Sequence, residues 1–156
     1  MTRRRRFSSF LHGRCWQALA LGLLVTVITP GCGDDSASDY DLEIAIGSSG
    51  LVSALQFDLT YTGDSGRFLG RGGAIDCIAL VNSIIAANYR GQSEAAIGMI
   101  SLQGVPTPAP IVSCGFRTAD DPSAASFQIN VTDSSGPDGE PIDPAPVVSI
   151  TSISLR

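Results

Sequence analysis

Four cysteines and fifteen carboxylates carry most of the chemistry open to this 156-residue chain, because the usual bases are nearly missing. There is no lysine, and the one histidine, His12, lies in an N-terminal leader-like segment. Without His or Lys beyond that segment, Ser-His-Asp and Cys-His nucleophilic sites and Schiff-base chemistry lack their parts. The carboxylate pairs Asp34-Asp35 and Asp120-Asp121 are adjacent in polar stretches. Glycoside hydrolysis needs two carboxyls facing each other across a cleft, so these pairs read as solvated turn residues. The thiols are more telling. Cys32 follows Gly31 directly at the end of an apolar run, and Cys77 and Cys114 stand far downstream. No CxxC spacing is present, so no metal site is expected. The expectation is a protein that is not an enzyme and needs no cofactor.

The leader explains where Cys32 sits. Arg3 to Arg6 open the chain, Arg14 follows, and Trp16 to Ile28 is apolar except for Gln17 and Thr26. A basic start, an apolar run of about 13 residues and a small residue at its end make a secretory signal over residues 1–31. The run is shorter than the roughly 20 residues of a spanning helix. The segment Thr29-Pro30-Gly31-Cys32 resembles the lipobox of bacterial lipoproteins, with Thr29 where that family usually has Leu. The resemblance implies that the Cys32 thiol receives a diacylglyceryl group, with fatty acyl chains such as palmitate, and becomes the new N-terminus. An ordinary secreted protein cut near this point is the alternative. Arg4-Arg5-Arg6-Phe7 resembles the R-R-x-F pattern of folded-protein export, but Ser8 follows and no cofactor calls for that route. General secretion is the expectation. Gly33, not Asp, follows Cys32, so an Asp-based inner-membrane retention signal is absent. The outer membrane or cell surface is the expected address.

Removing the leader changes the charge. Five arginines then face fifteen acids, a formal charge of about −10 against −5 for the precursor. Such a surface excludes nucleic acid as a partner, since phosphate contacts need clustered Lys and Arg. It also holds no polybasic run for anionic lipid, so attachment must come from acyl chains. With Cys15 in the leader and Cys32 at the lipid site, Cys77 and Cys114 remain as one pair in a compartment where disulfides survive. A disulfide is expected, with two buried free thiols as the other outcome.

Gly33 to Asp39 is small and polar and reads as part of a tether spanning 32–39. From residue 40 the period is two. Tyr40, Leu42, Ile44 and Ile46 alternate with polar or small residues, as do Leu55, Phe57, Leu59 and Tyr61. Ala95 to Met99, bounded by Arg90-Gly91 and Gly104, Val112 to Phe116, Phe127 to Val131 and Val147 to Ile153 give further strands, separated by Gly, Pro and Asp turns. Ile78 to Tyr89 fits a helix face or a strand and is assigned as strand. Val105 to Pro110 and Pro137 to Pro146 should be extended loops. One all-β domain, a sandwich or barrel, fills residues 40–156.

The segment Ser49 to Tyr61 (SGLVSALQFDLTY) resembles the first long hairpin of cohesin-type domains, which carry a Gly-rich turn and then a "G-hydrophobic-Q-F-x-L-x-Y" strand. The order after it also fits: a run with Asn88, an apolar strand to Ile100, a strand ending Cys114-x-Phe116, the Phe127-Gln128-Ile129 strand and an Asp/Gly turn. Thr62 stands where many cohesins have Asp, and a Cys77–Cys114 pair is unlike typical members. The resemblance implies a jelly-roll β-sandwich of about nine strands. It also implies a protein partner of the dockerin kind on one exposed sheet face, at ligand-binding residues left unknown.

Two smaller readings complete the picture. Asp133 to Glu140 has oxygen ligands, but Pro137 breaks EF-hand spacing, so an Asp/Gly/Pro turn is expected there rather than calcium. Trp16 is lost with the leader. Of the mature rings Tyr40, Phe57, Tyr61, Phe68, Tyr89, Phe116 and Phe127, four (Phe57, Tyr61, Phe116 and Phe127) fall on apolar strand faces, while Phe68 and Tyr89 lie near loops and could be exposed to stack on sugar. The expected function is a lipid-anchored binding module of the bacterial cell envelope. The alternatives are a carbohydrate-binding or adhesive module that takes polysaccharide, and a structural envelope lipoprotein without a specific ligand.

Overall fold

The computed structural model describes residues 36–156, so the leader and Cys32 lie outside the described residues. Eleven strands form: β1 (Ser38–Ile46), β2 (Leu51–Tyr61), β3 (Arg67–Phe68), β4 (Gly70–Arg71), β5 (Ala74–Ile75), β6 (Cys77–Ala79), β7 (Ile84–Tyr89), β8 (Glu94–Pro106), β9 (Ala109–Thr118), β10 (Phe127–Ser135) and β11 (Val148–Leu155). The only helical element described is one turn of 3-10 helix at Ala124–Ser126. One sheet runs β11-β1-β9-β3, with β6 also paired to β9; the other runs β10-β2-β8-β7-β5-β4. Every pairing is antiparallel. The protein is an all-β sandwich.

Period-two alternation builds the core, as the sequence predicts. Leu42, Ile44 and Ile46 on β1 and Leu55, Phe57, Leu59 and Tyr61 on β2 all point inward and are buried. Ala95, Ile97 and Met99 on β8 face them within the same apolar core. Two bulges adjust the phase. On β9, the pairing shifts between Ile44 and Ala45, so Ile111 and Val112 are both buried in succession. On β2, the shift between Val52 and Ala54 lets both Val52 and Leu55 reach the core.

One end of the core is aromatic. Tyr61, Phe68, Phe116 and Phe127 pack with ring centroids 4.8–5.3 Å apart. Gly66 lies flat on these rings: a Cβ there would come within 2.3 Å of Phe116 Cζ. Burial pushes the Tyr61 phenol pKa up. Its hydroxyl donates to Asp120 Oδ2 at 2.9 Å. Asp120 is therefore more than a solvated turn residue, because it receives the one polar atom of a buried ring.

The structure corrects several expectations. The strand count is eleven rather than about nine, because β3 to β6 are only two or three residues each. The tether ends earlier than residue 39. Ser38 and Asp39 already belong to β1, since Asp39 is clamped by Arg117 Nε and by Arg117 Nη2 at 2.7 Å. Ile78 to Tyr89 is not one strand. It contributes β6 to one sheet and β7 to the other, with Leu80 to Ser83 crossing between them. Gly104 does not end β8, because its φ of 71° accommodates the irregularity and the strand runs on to Pro106. The loop expected over Val105 to Pro110 shrinks to Thr107-Pro108. Phe68 is buried in the aromatic cluster rather than exposed.

The Asp39–Arg117 clamp has a pH signature. The hydrogen bonds from Arg117 hold the Asp39 carboxyl below its ordinary value of 3.8. A depressed carboxyl contributes stability that is present above the unfolded value and lost as pH falls through the folded one. Amide protection at the start of β1, measured against the intrinsic exchange rate at each pH, should therefore fall as the pH drops below 3.8, while protection at the centre of β2 holds. An equal fall in protection at both places would show that the clamp does not act locally.

Candidate binding face

The chemistry-bearing residues singled out in the sequence do not converge. Cys77 and Cys114 face each other directly across β6 and β9 and form a disulfide. Asp133 to Ser135 belong to β10, and Gly136 to Glu140 close a turn in which the Gly136 N–H donates to the Glu140 carbonyl at 3.0 Å. Among the described residues no group of His, Cys, Asp or Glu has the arrangement to hold a metal ion. Asp120 and Asp121 are exposed, and Asp120 is engaged by Tyr61.

The outer face of the β10-β2-β8-β7 sheet is different in kind. Strand register sets three rows across it. Ala54, Ile100 and Ile84 make one row; Gln56, Gly98 and Ala86 make the next; Asp58, Ala96 and Asn88 make the third. An open antiparallel face normally alternates apolar-in with polar-out. Here the outward set of β8 after Glu94 is Ala96, Gly98, Ile100 and Leu102, all apolar or small. Ile84 is 73% exposed, Ile100 58% and Leu102 96%.

The relief of this face follows from the side-chain sizes. Gly98 and Ala86 leave a hollow of about 280 Å³ on one side of the Ile84–Ile100 pair. A second hollow of about 350 Å³ opens on the other side, between Asn82–Ile84 and Ile100–Gln103. The result is a two-isoleucine ridge between two shallow depressions, with Leu102 standing free at its end. Acidic groups rim the face: Asp133 edges the first hollow, and Asp58 lies 3.1 Å from Arg90 Nε. This surface can bury apolar side chains of a partner.

The signal for this face was present in the sequence. From Ala95 to Leu102 both alternating phases are apolar or small, apart from Ser101. A strand with one face in water does not need that. The phase assigned inward is indeed buried, so the other had to be exposed.

No protein-family model matches the chain, and no curated protein matches it. Among solved structures the chain is similar to the sixth cohesin of scaffoldin B from Acetivibrio cellulolyticus, crystallised in complex with a mutant Cel5 dockerin. The two share 13% identity with a TM-score of 0.43, over 69% of this chain and 82% of that one.

Proposed function

We propose that this protein is an exported lipoprotein, anchored through Cys32, whose β-sandwich binds a protein partner on the outer face of the β10-β2-β8-β7 sheet. The observation that carries the binding role is the exposed Ile84–Ile100 ridge with Leu102, set among small residues on one sheet face. Contiguous exposed apolar surface rimmed by polar groups marks an interaction site. Two hollows beside a ridge suit a partner that presents spaced apolar side chains, as an amphipathic helix does. The acidic surroundings favour a partner with basic residues at its edge and an association weakened by salt. The hairpin motif at Gly50 to Tyr61 resembles that of cohesins, which makes a dockerin-type module the partner to test first.

The sugar-binding reading has less support. Of its two candidate rings, Phe68 is in the core. Tyr89 is half-buried, and its hydroxyl donates to the Phe68 carbonyl at 3.2 Å. Phe68 offers no face for stacking on a pyranose, and Tyr89 alone makes no platform.

The decisive experiment presents residues 36–156 to dockerin-type modules and, in parallel, to a glycan array. Capture of a dockerin-type module should fall at least roughly thirtyfold in Ile84→Asp and in Ile100→Asp, the size of an interface hot spot. Both positions are exposed, so folding stability should shift by no more than about 0.5 kcal/mol. Glycan binding with no dockerin captured moves the assignment to a carbohydrate module, and silence in both moves it to a structural lipoprotein. The anchor has its own test. Cys32→Ser should remove the full-length protein from the membrane fraction; continued partitioning after normal processing would overturn the lipid assignment.

A further inference from the structure

Only five basic residues lie beyond the leader, and three of them meet at one place. Arg67, Arg71 and Arg117 line an open cleft of about 640 Å³ together with Tyr89 and Gln92, and no carboxylate lines it. Register explains the meeting: β3 pairs with the end of β9, placing Arg67 directly opposite Arg117. Arg71 is set by a tight hairpin. β4 and β5 are joined by Gly72 and Gly73, both at positive φ, the conformation of a two-residue turn that glycine favours. Arg117 spends one edge of its guanidinium on Asp39. Arg67 and Arg71 have no carboxylate partner among the described residues, where Arg90, Arg117 and Arg156 make all the ion pairs. In a domain so short of cations and so rich in acids, two unpaired arginines facing one cleft form an anion site.

The position of the cleft indicates its ligand. The chain arriving from Cys32 enters β1 at Ser38–Asp39, and Asp39 is bound to Arg117 in the cleft wall. From Cys32 to Asp39 the fully extended chain reaches about 25 Å. The cleft also sits at the Tyr89 end of β7, while the Ile84 ridge sits at the other end, about 17 Å away at the rise of a strand. Asp39 and Asp76 lie beside this end, but among the described residues Arg67 and Arg71 stand there without a carboxylate partner, the feature an anionic surface attracts.

We propose that the Arg67–Arg71–Arg117 cleft seats the phosphate of an anionic glycerophospholipid headgroup in the membrane that holds Cys32; the proposal rests on that anchoring. Guanidinium forks match phosphate oxygens in pairs. Docking of the basic end orients the sandwich so that the Ile84–Ile100 ridge points away from the bilayer, where a partner can reach it.

Residues 36–156 carry their own core and disulfide, so the unlipidated domain serves for the test. It is mixed at low salt with phosphatidylcholine vesicles, with and without added phosphatidylglycerol, and separately with inorganic phosphate and with oligogalacturonate. The expected result is association that requires phosphatidylglycerol and fades with salt. It should drop about thirtyfold in Arg67→Gln/Arg71→Gln, since each cation near an anionic surface contributes about fivefold. Arg90→Gln, whose guanidinium pairs with Asp58 outside the cleft, should bind at nearly the wild-type level. No dependence on phosphatidylglycerol, or an equal loss in Arg90→Gln, would overturn the proposal. Binding of oligogalacturonate or of inorganic phosphate without vesicle binding would overturn the lipid source. Because this protein carries no acyl group, the outcome does not depend on whether Cys32 is lipidated, which the Cys32→Ser fractionation reports alone.

Discussion

Phe116→Ala is expected to be among the most damaging single substitutions in the sandwich, lowering stability by about 3–5 kcal/mol. That is a large part of the 5–15 kcal/mol typical of a domain. Phe116 is fully buried. Its ring touches three other rings, with centroids 4.8 Å from Tyr61, 5.1 Å from Phe127 and 5.3 Å from Phe68. The Gly66 backbone closes over it. The cavity left by alanine cannot collapse easily, because β9 is pinned on both edges. Phe116 pairs with Tyr40 on one side and Phe68 on the other. Tyr61→Phe tests the same cluster more gently. It keeps the ring and deletes the hydroxyl that reaches Asp120, for an expected loss of about 1 kcal/mol. Urea unfolding of both variants beside Ile84→Ala checks the ranking. If Phe116→Ala costs no more than the exposed Ile84→Ala, the aromatic cluster is not the keystone of this end of the core.

Those two substitutions also separate what alternation reveals from what it hides. Phe57, Tyr61, Phe116 and Phe127 stand in runs long enough to show period two, and all four are buried as expected. Phe68 stands in a two-residue strand between Gly66 and Gly70, where no period can be read. Its burial is decided by pairing with β9, nearly fifty residues away in the chain. The same non-local pairing divides Ile78 to Tyr89 between two sheets and gathers three arginines from separate segments into one cleft. Neither is visible to a window that slides along the chain. Gly104 shows a different blindness. Glycine marks both turns and bulges, and only the partner strand decides which. The binding face was legible in part, through the apolar outward phase of β8, but its ridge needs Ile84 from β7 placed beside Ile100.

Opening the Cys77–Cys114 bridge should produce the second large effect, and a localised one. The bond closes a loop with a sequence separation of 37, for which chain entropy alone gives about 3–4 kcal/mol. The short elements nearest the Cys77 end of the bond are weakly held by other means. β6 has three residues, and β5, which ends just before the loop, pairs with β7 through one register position. By contrast, β1, β2, β10 and β11 lie outside the loop and form long ladders. Cys77→Ala/Cys114→Ala should therefore fold into the same sandwich with a lower urea midpoint. Amide exchange should rise most between Ile75 and Ser83 and least in β2. The bridge also braces the Arg71 hairpin, since β6 follows β5 after a single residue. Reduction of the wild type should reproduce the variant's midpoint, and the variant itself should be indifferent to reductant. The bond persists where thiols are not kept reduced, which is where the proposed export would place the domain. Free thiols at both positions in oxidised wild-type protein, or a midpoint unmoved by reductant, would remove the bridge from the account of what holds this domain together.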